Sequence, residues 1–180
     1  MATSSCLKRH GGKAYLAKKI RSLFPPHTRY CEPYFGSGAV LFSGDGEGVA
    51  EFANDLDRVL ADFWMVLRDT PARMLHKLWA TPLGRWFFDE ADSNLQSSDR
   101  VERATAFFIR NRQSRQGLGK DYCTPTSRLR RGMNEQVSAW LSAVDGLPEF
   151  HQRLRRVEIR CQSALSFIRE LDSADTLFYC

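Results

Sequence analysis

No apolar run in this sequence comes near the ~18 residues a membrane span requires; TAFFI and TLFYC are among its most apolar stretches. The chain therefore reads as soluble, with no membrane partner. Cys-x-x-Cys and His-x-x-x-His are both missing, and the five cysteines are odd in number and widely separated. That pattern argues against a zinc site and a disulfide framework, and it makes a reducing cytoplasm the expected home. The N-terminus lacks the apolar stretch of a secretory signal, and Gly11-Gly12 and Pro25-Pro26 interrupt the helix an organelle transit peptide needs. Acid is absent from Met1 to Cys31, where seven Lys and Arg lie unopposed. A second basic zone, Arg100 to Arg131, holds eight Arg and one Lys against two acids, and the remaining segments are net acidic. Two basic zones in an otherwise acidic chain point to an anionic partner rather than a uniformly adhesive surface.

What is present fits one domain of 180 residues with 43% hydrophobic and 26% charged side chains, which excludes a disordered chain. Residues 14–24 read as an amphipathic helix with Leu16, Ile20, Leu23 and Phe24 on one face, stopped by Pro25-Pro26. Tyr30 to Phe35 reads as a strand, Ala39 to Phe42 as the start of a short helix, and Val49 to Ala53 as a second strand ending in Asn54-Asp55. Leu56 to Arg68 is strongly helical. This rhythm is that of an open parallel α/β sheet. Residues 71–155 differ: helices at about 71–80, 100–112, 133–144 and 148–155 are joined by polar loops, the longest from Gln113 to Arg131. Arg156 to Gln162 then reads as a strand, Ala164 to Leu171 as a helix and Thr176 to Cys180 as a buried strand. The expected architecture is an α/β core, 1–70 with 156–180, interrupted by a basic helical insert, 71–155.

A strand running into Gly36-Ser37-Gly38 and then a helix lets backbone approach a ligand. Asp55, at the tip of the next strand, stands where such sites commonly receive ribose hydroxyls. Leu41 occupies the place of the third glycine of the dinucleotide fingerprint, which disfavours an oxidoreductase. No Gly-Lys-Ser/Thr follows, which excludes a phosphate-cradling P-loop. Gly11-Gly12-Lys13 on its own is a flexible turn with a lysine.

Taken together, KRHGGKAYLAKKI, CEPYFGSGAVLF and ANDLD, in this order and spacing, resemble the Dam-like DNA adenine-N6 methyltransferases. FFIRNRQSRQGLGKDY resembles, more loosely, the Asn-Arg…Gly-Leu segment of that family's DNA-reading insert. The resemblance implies an incomplete Rossmann-like methyltransferase sheet carrying a helical DNA-recognition insert, S-adenosylmethionine as cofactor and double-stranded DNA as partner. Carried over by residue, Lys13 lines the cofactor pocket, and Gly36, Ser37 and Gly38 pass under the methionine part. Asp55 accepts from the ribose, and Glu32 and Pro33 open the strand motif, with the Glu32 carboxylate directed to loop amides or the methionine ammonium. Arg9 stands where many relatives carry an aromatic. In the insert, Arg112, Arg115, Lys120, Arg128, Arg130 and Arg131 are the expected DNA contacts, with Gln113, Gln116 and Tyr122 among them; arginine suits phosphate or guanine, and glutamine suits an adenine edge.

The family's Asp-Pro-Pro-Tyr, which holds the flipped adenine's amine, occurs nowhere in these residues. The strand that normally delivers it is DTLFYC. The expectation is a chain truncated just before that motif and inactive alone, with a C-terminal complementing fragment as a further partner. A non-catalytic DNA-binding module is the alternative.

Overall fold

A computed structural model describes residues 5–9 and 12–180, so Gly11 lies outside the described residues. The strands are β1 (Arg29–Glu32), β2 (Ala50–Asn54), β3 (Leu129–Arg130), β4 (Met133–Asn134), β5 (Val157–Arg160) and β6 (Thr176–Phe178). The helices are α1 (Ala17–Arg21), α2 (Arg58–Asp69), α3 (Pro71–Ala80), α4 (Arg85–Asn94), α5 (Arg100–Gln113), α6 (Glu135–Asp145), α7 (Leu147–Leu154) and α8 (Ala164–Leu171).

Four strands form a parallel sheet in the order β5-β2-β1-β6, with Cys31 level with Phe52 on one side and Phe178 on the other. The chain steps outward from β1 through β2 to β5, then returns to the far side of β1. That reversal is a topological switch point, where open α/β sheets leave a crevice beyond their carboxyl ends. One face of the sheet packs Cys31 against Phe167 and Leu171 of α8, with Phe52 and Phe178 beside them. The other face carries Tyr30 and Ala53 into the main core, where α2 buries Leu60, Phe63, Trp64 and Leu67. Asp57 caps α2, accepting from the N–H groups of Val59 and Leu60. Phe63 stacks on Phe108 of α5 at 5.6 Å, so α2 joins the sheet to the helical layer.

Several elements depart from the sequence reading. The first helix is only Ala17–Arg21, and Leu23, expected on its apolar face, lies beyond the helix end and is exposed. Strand β1 stops at Glu32 because Pro33 has no N–H to continue the ladder. The helix expected from Ala39 is a single 3-10 turn, Leu41–Ser43, ended by the extended backbone of Gly44. Helix α4 was absent from the reading; its three acids, Asp89, Glu90 and Asp92, crowd the half where the helix dipole disfavours them. It forms because Phe88 and Ala91 are buried among its neighbours. The long loop contains a hairpin: Arg131 (φ 54°) and Gly132 (φ 75°) join β3 to β4 through a two-residue turn with both φ positive. Asn134 then caps α6, which shortens the expected 133–144 helix at its start.

Candidate functional site

The carboxyl ends of β1, β2 and β6 open into a cleft of about 350 Å³. Lys13, Glu32, Gly36, Ser37 and Asp55 line it, which brings together five of the seven expected cofactor residues. Its geometry follows from the turn after β1. Phe35 N–H returns to Asn54 O at 2.8 Å, and Gly36 (φ 54°) and Gly38 (φ 65°) take left-handed backbone. Gly36 N–H donates to Asp55 Oδ2 at 2.9 Å while Asp57 N–H donates to Oδ1 at 3.0 Å. Each oxygen of Asp55 is thereby oriented and keeps acceptor capacity for a ligand.

The other two expected residues stand one step back. Gly38 faces the core, where a Cβ would sit 2.5 Å from the rings of both Phe35 and Phe42. Pro33 does not line the cleft; its carbonyl accepts from Asn54 Nδ2 at 3.0 Å. Asn54 is fully buried, and its amide also donates to Gln162 O and accepts from Gln162 N–H, so it staples the ends of β1 and β5 to β2. The Asn-Asp pair at the strand tip is its only sequence signal. The sequence reading missed Tyr34, Tyr179 and Cys180, which come to the cleft from just beyond the ends of β1 and β6. Arg9 also lines it, its guanidinium 3.6 Å from where a Cβ on Gly36 would be.

Glu32 is buried beneath this cleft, and burial pushes its carboxyl up to about 8. Tyr30 Oη donates to it at 2.6 Å and a backbone N–H from Leu41 also reaches it, which moderates the rise. The same burial, with the carboxylate beside it, pushes the Tyr30 phenol far up. Next door on β2, buried Glu51 is instead clasped by both terminal nitrogens of Arg153 at 2.5 Å.

Between α5 and α6, Arg115, Lys120, Arg128, Arg130 and Arg131 are exposed, and no carboxylate pairs with any of them among the described residues. Three of the five stand on the β3–β4 hairpin and its flank, with Leu129 exposed among them. Arg112 is placed differently. Its guanidinium is turned inward to Cys6 O and Ala139 O, and burial pulls its pKa down. Gln113 is fully buried between Gly84 N–H and Pro82 O, so it has no free amide for a base edge. Gln116 is exposed, and Tyr122 packs against Phe88.

The sequence profile of the family described as D12 class N6 adenine-specific DNA methyltransferase matches residues 10–180. No curated protein matches the chain. Among the described residues no helix is long and apolar enough to cross a membrane.

Proposed function

The chain belongs to the D12 class of N6 adenine-specific DNA methyltransferases, and from that premise we propose that its cleft seats the methyl donor of the class, S-adenosylmethionine. The observation that carries this reading is the convergence of Lys13, Glu32, Gly36, Ser37 and Asp55 at the switch point of the sheet. When bound, the cofactor supplies a sulfonium-activated methyl group. Asp55, already oriented by two N–H donors, accepts from ribose hydroxyls. Glu32, once ionised, accepts the methionine ammonium. The turn at Gly36-Ser37 offers backbone at close range, and Lys13 provides a cation on the same wall. Pro33 and Gly38 act behind them, the first through Asn54 and the second by letting Phe35 and Phe42 close under the turn.

In this reading, residues 1–70 with 156–180 serve the cofactor and residues 71–155 serve the DNA. Arg115, Lys120, Arg128, Arg130 and Arg131 meet phosphates of double-stranded DNA, and Arg112 holds the segment that carries them. The 180 residues contain no Asp-Pro-Pro-Tyr. They therefore bind both substrates without the group that aligns a flipped adenine's amine, and lose most of the orientational advantage of catalysis. Alone they transfer methyl at a negligible rate, and a segment carrying the motif restores turnover. The site of action is the cytoplasm, where the cysteines stay reduced.

The test is thermal unfolding with S-adenosylmethionine at ~100 times its dissociation constant, which adds about 2.7 kcal/mol to a protein that binds it. Wild type shifts upward by several degrees, and Asp55→Ala loses the shift. A cooperative wild-type transition unmoved by the cofactor overturns this reading in favour of a DNA-binding module.

A further inference from the structure

Residues 5–9 have no helix or strand of their own, yet Cys6 and Leu7 are buried. Such a segment stays in place only if other elements tie it down. One side of it faces the cofactor cleft: Ser5 Oγ donates to Ser37 O at 2.9 Å, and the Arg9 guanidinium covers Gly36.

The other side is gripped by the end of α5. Lys8 N–H donates to Asn111 Oδ1 at 2.9 Å, and Asn111 Nδ2 donates back to Lys8 O at 2.8 Å. The same Nδ2 donates to Gly117 O at 3.1 Å, so both ends of this buried amide are used. Lys8 Nζ donates to Arg112 O at 2.7 Å, and Arg112 Nη1 donates to Cys6 O at 3.3 Å. Gly117 closes the grip. Its φ is +75°, and a Cβ there would lie 2.4 Å from Lys8 O and 2.5 Å from Lys8 Cβ. Two residues on, Gly119 has nearly the same φ, +71°, with nothing within 4 Å of such a Cβ. The two glycines carry the same backbone demand, and only one meets the segment.

We propose that Asn111 and Gly117 are positioning residues for the cofactor cleft, holding Ser5 to Arg9 against the Gly36-Ser37 turn from the DNA-facing side of the molecule. The inference rests on the assignment of S-adenosylmethionine to that cleft. It gives Asn111 and Gly117, which stand in the stretch expected to read DNA, work at the other substrate's site.

The test is calorimetric titration of S-adenosylmethionine into wild type, Asn111→Ala, Gly117→Ala and Gly119→Ala, with a melting curve and amide exchange of Lys8 for each. Gly117→Ala and Gly119→Ala both melt lower, because both place a side chain in left-handed backbone. Asn111→Ala and Gly117→Ala weaken cofactor binding roughly three- to thirtyfold and speed exchange at Lys8. Gly119→Ala stays within about twofold of wild type. If wild type binds and all three variants bind equally well, the positioning role is overturned alone. Equal weakening in Gly117→Ala and Gly119→Ala also overturns it, because the loss then follows backbone strain. If folded wild type binds no cofactor, the cofactor assignment fails and takes this inference with it.

Discussion

Between α2, α3 and α5, Arg100 and Arg103 share Asp62, while Arg73 and Lys77 share Glu102. From Arg115 to Arg131, five exposed cations have no carboxylate among the described residues. Both regions are arginine-rich, and their basic residues all lie between Arg73 and Arg131. A buried guanidinium left alone is destabilising, so the helical seam supplies Asp62 inside the fold. Exposed cations tolerate having no partner and create a field for a polyanion. The same contrast recurs with opposite sign in the sheet, where Glu51 has Arg153 and Glu32 has only neutral donors. Arg112 stands between the two cases, a buried cation held by the carbonyls of Cys6 and Ala139 instead of a carboxylate.

The contrast breaks most visibly at Arg103. Arg103→Ala takes two N–H donors from Asp62 Oδ2, leaving that buried carboxylate only Arg100, and lowers stability by about 2 kcal/mol, measured by urea unfolding, with DNA affinity of the folded fraction unchanged. The opposite result is expected from Arg128→Ala combined with Arg130→Ala. Stability stays within about 0.5 kcal/mol, while the slope of log affinity for duplex DNA against log salt flattens by about 1.8, for two lost phosphate contacts. An unchanged slope removes these residues from the interface.

Glu32 sharpens the comparison through pH. Its carboxyl keeps a proton up to about pH 8 when folded, against 4.5 as the ordinary value. Its contribution to stability is therefore complete below about 4.5 and lost as pH rises through 8. On the role proposed for Glu32, holding the methionine ammonium takes the ionised form, so cofactor affinity is expected to climb as pH rises towards 8, and Glu32→Gln to flatten that profile. Melting calorimetry across pH 4 to 9 checks the stability curve, and titration of S-adenosylmethionine across pH 6 to 9 checks the affinity curve. Smallest of all is Arg85→Ala, which removes an exposed pair with Asp89 and changes the melting free energy by at most about 0.5 kcal/mol.

Much of this was legible in the residues. Helices α3 and α8 fall on their expected bounds because each has a clear apolar stripe and a stop. The cleft was legible at Gly36-Ser37 and Asp55, where local backbone chemistry and ligand chemistry coincide. Tyr179 was not, since it reaches the cleft only through the pairing of β6 with β1. The β3–β4 hairpin was hidden because its turn is Arg131-Gly132, where Asn-Gly or Asp-Gly is the usual signal. Arg112 and Arg115 look alike in sequence. One is turned inward because it lies on the α5 face towards Cys6 and Ala139, a distinction made only by tertiary packing.

The pairing of β1 with β6 also sets a timetable. Roughly 145 residues separate the two strands, so at about 5–20 residues per second the ribosome finishes β6 some 7–30 s after β1. During that interval α2 to α5 can pack against one another, since their contacts are local. The cleft cannot form, because Tyr179 on its far wall has yet to be made. A nascent chain of this protein becomes an assembled helical layer before it becomes a cofactor-binding protein, and β1 waits with one edge open until its last neighbour arrives.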